Sequence, residues 1–324
     1  MKLLERCLIS LALLVTAALA PHASAQQYPA KSIRLILPFP PGGPTDIMGR
    51  ALVQKLSEQM GQQVIPDNRP GAGGNFGLEL AAKSPPDGYT MVLAGAGAIA
   101  ISPSLYAKLN YRQQDLAPIS LVAEIRIIVV VHPSVPAKSM KELIALARKN
   151  PGKLNYGSGG IGTGAHLTFE LIKSITKTNI VHVPFKGMPQ GLVALMSGEI
   201  DMLIMAVPVA QAQVQAGKVR ALVVLSTERA SALPEVPSAR EAGVEDYIVR
   251  SWYGMLAPAG TPANLIGRLN SELVKALNSA DLRKRFQTAS VAPLTSTPEQ
   301  FADFIKTETV RYAKVIKDAN IPAQ

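Results

Sequence analysis

Residues 33–46, IRLILPFPPGGPTD, constrain this chain more tightly than any other stretch. The apolar residues around Leu35 suit a strand covered on both faces. A Pro/Gly turn follows, then a helix whose apolar stripe comprises Ile47, Met48, Ala51, Leu52 and Leu56. Thr45 is the expected N-cap, Asp46 suits the positive helix end, and Gly61 is the expected C-cap. A strand feeding a glycine loop into a helix N-terminus aims unpaired backbone N–H groups outward, which holds anions without a cationic side chain. The same order of strand, glycine loop and helix recurs over residues 154–175. That repetition points to two lobes presenting similar loops.

The first 25 residues read as a signal peptide. Lys2 and Arg6 form its basic start, Leu8 to Ala20 its apolar centre, and Ala23, Ser24 and Ala25 a small-residue cleavage motif before Gln26. The only cysteine, Cys7, lies inside this leader and lacks a lipoprotein acylation context. The mature chain therefore has no disulfide, thiolate metal site or cysteine nucleophile, which suits an oxidising compartment reached after export. Net charge is +10, and the leader accounts for one unit of it. The basic residues are dispersed, and at 5% aromatics the chain lacks base-stacking platforms. Nucleic acid is not an expected partner; a solvated basic surface that steers anions is.

Strand-like and helical runs alternate, so the class is α/β. Strands are expected at 33–38, 63–66, 90–94, 117–123, 126–132, 154–157, 180–184, 201–206, 219–226 and 251–257. Helices are expected near 45–60, 75–83, 103–108, 139–149, 163–176, 189–197 and 208–216. Ser139 and Glu142 form a capping box, while Thr261-Pro262 and Thr297-Pro298 each place proline after an N-cap threonine.

Two loops match the loose pattern G-x-G-x-x-A, starting at Gly95 and Gly160, yet neither is followed by an acid at the end of the next strand. There is no G-x4-G-K-[ST] motif, and no two of His132, His166 and His182 have metal-ligand spacing. Neither a cofactor nor a metal is expected. Tyr156-Gly-Ser158 lacks the first glycine of a nucleophile elbow. His166 lies on the first turn of its helix, where it can face the loop or simply pack. Met205 is a core residue by default, although it reaches the strand end where open α/β sheets bind ligands.

Further stretches complete the pattern: NRPGAGG at 68–74, PDGYT at 86–90, PGKLNY at 151–156 and GTGAHL at 162–167. HVPFKG at 182–187, GEID at 198–201, GKVRAL at 217–222 and WYGMLAPAGTP at 252–262 follow. With residues 33–46, they make the chain resemble the Bug-type solute receptors, the extracytoplasmic substrate-binding proteins of tripartite tricarboxylate transporters. Departures are small: Phe185 stands where the family often has tyrosine, and Ile119-Ser120 replaces a more usual Pro-Val.

The resemblance implies a type II periplasmic-binding-protein, or Venus-flytrap, fold. Each lobe would hold a doubly wound, mostly parallel sheet, with two crossovers between the lobes. Lobe one would comprise 26–125 plus 251–324, and lobe two 126–250. The resemblance implicates Phe39, Gly43, Thr45, Gly73 and Ala96 from lobe one. From lobe two it implicates Ser158, Thr163, His166, Phe185 and Met205. It implies a monomeric periplasmic receptor that captures a small carboxylated molecule and delivers it to membrane permease subunits. The alternatives are an exported α/β hydrolase-like enzyme built on Ser158 and His166, and a ligand sensor without transport.

Overall fold

The computed structural model describes residues 28–248, 250–318 and 320–324; the expected signal peptide lies outside them. The chain runs β1 (Ile33–Leu37), α1 (Pro44–Met60), β2 (Val64–Asn68), α2 (Asn75–Ala82), β3 (Thr90–Gly95), β4 (Leu116–Ile125) and β5 (Ile127–Val131). It continues with α3 (Met140–Lys149), β6 (Asn155–Ser158), α4 (Gly164–Thr176), β7 (Val181–Pro184), α5 (Met188–Met196), β8 (Met202–Ala206), α6 (Val207–Gln215) and β9 (Arg220–Val224). After β10 (Ser251–Pro258) come α7 (Ala263–Asn278), α8 (Ala280–Thr288), β11 (Val291–Pro293) and α9 (Pro298–Asp318).

Two sheets organise two lobes. One has the order β11-β4-β10-β3-β1-β2 and the other β7-β6-β8-β5-β9. Each is packed on both faces, so successive strand residues point into different clusters. Leu35 and Leu37 join α1 residues Met48, Leu52 and Leu56, while Ile36 faces Leu78, Val92 and Trp252. Val129 and Val131 likewise face Phe169 and Ile172, while Ile128 and Val130 face Leu195 and Leu203. Double coverage is why these strands are continuously apolar rather than alternating.

The sheets are mixed rather than mostly parallel. β1 pairs in parallel with β2 and β3, and β6 with β7 and β8. β10 runs antiparallel to β3 and β4, and β5 to β8 and β9. The crossovers dictate this. A strand that ends in a loop at the cleft runs toward it, whereas β5 and β10 begin where the chain enters from the other lobe and must run away.

Helix starts shift wherever proline intervenes. Gly43, not Thr45, is the N-cap of α1, and Pro44 occupies the first helical position, where its missing N–H costs nothing. Asp46 still serves this end, because its carboxylate accepts the Gly42 N–H at 3.0 Å. Pro262 rather than Thr261 caps α7, and the Thr261 hydroxyl donates to the Pro258 carbonyl instead. Thr297 behaves as expected, accepting the Gln300 N–H at 3.2 Å. Gly61 closes α1 in the left-handed conformation, its N–H reaching the Ser57 carbonyl. Ser139 accepts the Glu142 N–H, but the Glu142 carboxylate reaches the Lys138 N–H, so the box is displaced by one residue.

Three elements escape the sequence reading, among them a single helical turn at Ala239–Ala242. α8 buries only Leu282 and Phe286, and β11 is three residues long, too short for any periodicity. The expected helix at 103–108 is a single turn, Ser102–Leu105, entered through a π-helical turn over Gly97–Ile101.

Candidate functional site

The C-terminal ends of β1, β3, β6 and β8 converge on a cavity of about 100 Å³. That is room for several water-sized groups, the scale of a small solute. Its floor is the second crossover, Arg250 to Tyr253. Its walls are the loops that the sequence marks with glycine and proline.

Three helices begin at these walls. α1 contributes Gly43, Pro44 and Thr45, α4 contributes Thr163, Gly164 and Ala165, and α5 contributes Met188 and Pro189. The caps of α1 and α5, Gly43 and Gly187, have no side chain to satisfy the first-turn N–H groups. The π-helical turn adds Ala96, Gly97 and Ala98. The cavity is thus ringed by backbone donors and positive helix ends, and the rest of its wall is largely apolar: Phe39, Ile127, Met188, Ile204 and Met205.

Ionisable side chains nearby are already paired. Among the described residues Arg250 is the only charged side chain on the wall, and its guanidinium donates to Glu124 at 2.6 and 3.0 Å. Asp46 lies behind the α1 loop, holding Gly42, Arg50 and Asn68. Burial pushes its carboxyl upward, but hydrogen bonds from Arg50, Gly42 and Asn68 outweigh that and hold it below the usual range. Asn68 also donates to the Phe39 carbonyl at 2.9 Å, which fixes the loop's shape. Burial pushes the Tyr253 hydroxyl up to about 12, so it remains a proton donor on the cavity floor.

The lobes meet beside the cavity. Tyr106 Oη donates to the Ile161 carbonyl at 2.9 Å. Gly73, at φ +64°, approaches that same carbonyl so closely that a Cβ would collide with it. A Cβ on Gly97 would stand 2.9 Å from the Gly162 carbonyl oxygen. These glycines serve backbone-to-backbone approach across the cleft.

Of the expected site residues, Phe39, Gly43, Thr45, Gly73, Ala96, Thr163 and Met205 line the cavity. Ser158, His166 and Phe185 do not. Ser158 is fully buried and contacts Gly160 and His182. His166 sits two residues before the lining Thr168, about 200° around the helix, and its ring stacks on His182 at 4.4 Å. Phe185 packs below the loop, its ring placed where a Cβ on Gly157 would come within 3.1 Å. A Ser158–His166 catalytic pair is therefore not formed: Ser158 is shut from the cavity and meets His182 instead.

The sequence reading missed Thr168, Met188, Pro189, Ser251 and Tyr253. Gly187-Met-Pro189 carries the same signal as Gly43-Pro44, a glycine cap before an early proline. Ser251 and Tyr253 alternate with Trp252, but which of them faces the cleft depends on where β10 pairs. Among the described residues no three His, Cys, Asp or Glu side chains gather in a metal-binding group.

A two-lobed α/β fold with a solute-sized cavity between the lobes, ringed by helix N-termini, defines the class: a solute-binding receptor of the flytrap type. Residues 48–321 match the model of the tripartite tricarboxylate transporter family receptor, and the chain belongs to that family. It is a family of receptors, not enzymes. Protein BugT of Bordetella pertussis is 35% identical over 94% of this chain and 94% of its own. A Rhodopseudomonas palustris protein solved with adipate shares 32% identity, with a TM-score of 0.88 over 92% of this chain and 100% of that one. MatC from the same organism, with bound malate, shares 29%, with a TM-score of 0.84 over 89% and 100%.

Proposed function

We propose that this chain is a periplasmic receptor that captures a small carboxylated solute between its lobes and delivers it to the membrane permease subunits of a tripartite tricarboxylate transporter. The observation that carries the reading is the set of helix starts around the cavity, those of α1 and α5 without a side-chain cap, where the one charged side chain among the described lining residues, Arg250, is already bound to Glu124. Backbone donors fixed in place stabilise an anion without rearranging, and the apolar wall accommodates the carbon skeleton. The carboxylates held by two similar proteins agree with this chemistry.

Gly43, Thr45, Gly73, Ala96 and Thr163 would present the anion-receiving face, with Phe39 and Met205 against the skeleton and Tyr253 as a hydroxyl donor. The moving bodies would be residues 26–125 with 251–324, and 126–250, hinged where Glu124 and Arg250 pair across the two crossovers. A leader cleaved before Gln26 would place a monomer in the periplasm. No helix among the described residues is long and apolar enough to cross a membrane.

The test is a calorimetric panel of mono- and dicarboxylates, neutral sugars and cationic amines against the mature protein. Carboxylates should bind and the other two classes should not, because the cavity offers neither a free acid nor a polar wall. A sugar that binds where no carboxylate does would sink the reading.

A further inference from the structure

The loop from Gly159 to Gly164 owes its shape to Thr163, which lines the cavity, and to Ser158 and His166, which do not. The Gly162 N–H donates to His166 Nδ1 at 3.3 Å. The Gly160 N–H donates to Ser158 Oγ at 3.2 Å, and its carbonyl accepts from Ser158 Oγ and from Thr163 Oγ1 at 3.1 and 2.7 Å. With the Ser158 proton directed to that carbonyl, His182 Nε2, 2.8 Å from Ser158 Oγ, is the donor in the remaining contact. The imidazoles of His166 and His182 stack at 4.4 Å, and Tyr156 stacks on His182 at 4.7 Å. The loop that forms one wall of the cavity therefore rests on a column of rings.

His166 must be neutral for this column to stand, and the two rings cannot both be charged. A proton on His166 Nδ1 would confront the Gly162 N–H, donor against donor, and two stacked imidazolium ions repel. The other ionisable groups that act on the rings are Glu170 and Lys173 of α4. Lys173 Nζ and Tyr156 Oη both donate to Glu170 Oε1 at 2.6 Å, so that carboxylate is already engaged. β7 and the loop itself carry no other charged side chain.

We propose that His166 and His182 are positioning residues for the cavity: as a neutral stacked pair they set the loop that meets the solute, and acid, by charging the pair, releases the loop and the solute with it. The solute half of this statement rests on the receptor reading above; the loop half does not. Burial pushes both imidazoles below their ordinary range, and the neighbouring His166 helps push His182 down to about 4. The column is therefore intact at neutral pH and yields only in acid.

Nuclear magnetic resonance of the ligand-free mature protein tests the loop half. The His166 and His182 ring signals should titrate below the usual imidazole range, and the Gly160 and Gly162 amide signals should shift with the same midpoint while the fold persists. Glycine amides that stay still as the rings titrate would overturn the proposal. Calorimetry at neutral pH with malate and adipate tests the other half. His166→Leu should weaken binding about tenfold, the factor that one lost hydrogen bond commands. His166→Asn combined with His182→Gln sets a carbonyl in place of Nδ1 and an amide donor in place of Nε2, and should restore affinity to within about threefold while abolishing the amide titration. Equal binding by wild type and His166→Leu would also overturn it. If neither acid binds the wild type, the choice of solute fails, and the ring and amide titrations still decide the positioning role.

Discussion

At the scale of single residues, Gly43 separates fold from function cleanly. Its φ is −82°, ordinary for any residue, and a Cβ there would meet nothing nearer than the Pro40 carbonyl at 3.7 Å. Gly43→Val should therefore fold normally while its branches project toward the cavity. Affinity should drop about tenfold or more by calorimetry, the equivalent of one blocked backbone contact. Unchanged affinity would remove this loop from the site. Asp46 makes the opposite case, holding structure rather than solute. Its folded carboxyl lies below its unfolded value, so its contribution is present above the unfolded pKa and disappears as pH falls through the folded one. Asp46→Ala should cost about 1–2 kcal/mol at neutral pH by removing the acceptor that Gly42, Arg50 and Asn68 share, and denaturation below the carboxylate range should show the gap narrowing. The site residues legible in sequence, such as Gly43 and Thr163, are those whose position at a helix start alone sets where they face. Ser158 and His166 lie off the cavity wall because their direction is set by His182, which comes from a different strand and leaves no local signal.

At the scale of elements, strands and helices fall within a few residues of the sequence reading, because doubly covered strands and amphipathic helices carry strong local patterns. Sheet direction was not legible. No local signal in residues 251–258 says that this strand begins at the cleft and must run against β3. The same strand shows how the site is braced. Trp252 packs edge-on against Phe301 and Phe304 of α9 and donates its indole N–H to the buried Glu308 at 2.8 Å. Glu308 also accepts from Arg311 at 2.8 Å. Glu308→Ala would leave the buried Trp252 indole N–H without its acceptor and take the partner from the partly exposed Arg311, and should cost about 2 kcal/mol in chemical denaturation. Glu124→Gln, at an ion pair with roughly a third or more of each side chain exposed, should cost less than about 1 kcal/mol. A Glu308→Ala protein as stable as the Glu124→Gln one would refute this account of what anchors β10.

At the scale of the whole molecule, closure is an equilibrium that the solute biases by its preference for the closed state. The two lobes touch through the Tyr106–Ile161 hydrogen bond beside the cavity and through the glycine contacts at Gly73 and Gly97 on its wall. These contacts join the lobes protein to protein, so they favour the closed form whether or not solute is bound. Apparent affinity scales with the closed fraction. Tyr106→Phe removes one hydrogen bond worth about 1 kcal/mol and leaves the ring in place, so it should shift the balance toward the open form about fivefold. Small-angle scattering of the ligand-free variant should report a larger particle than the wild type. Saturating solute should bring both to the same compact profile, because binding energy exceeds the missing bond: a hundredfold excess over Kd supplies about 2.7 kcal/mol. Dissociation should quicken and apparent Kd should rise by at most that fivefold factor, since no atom that touches the solute has changed. If the variant and the wild type scatter identically without solute, yet differ in affinity, Tyr106 acts on the site directly and the latch reading is wrong.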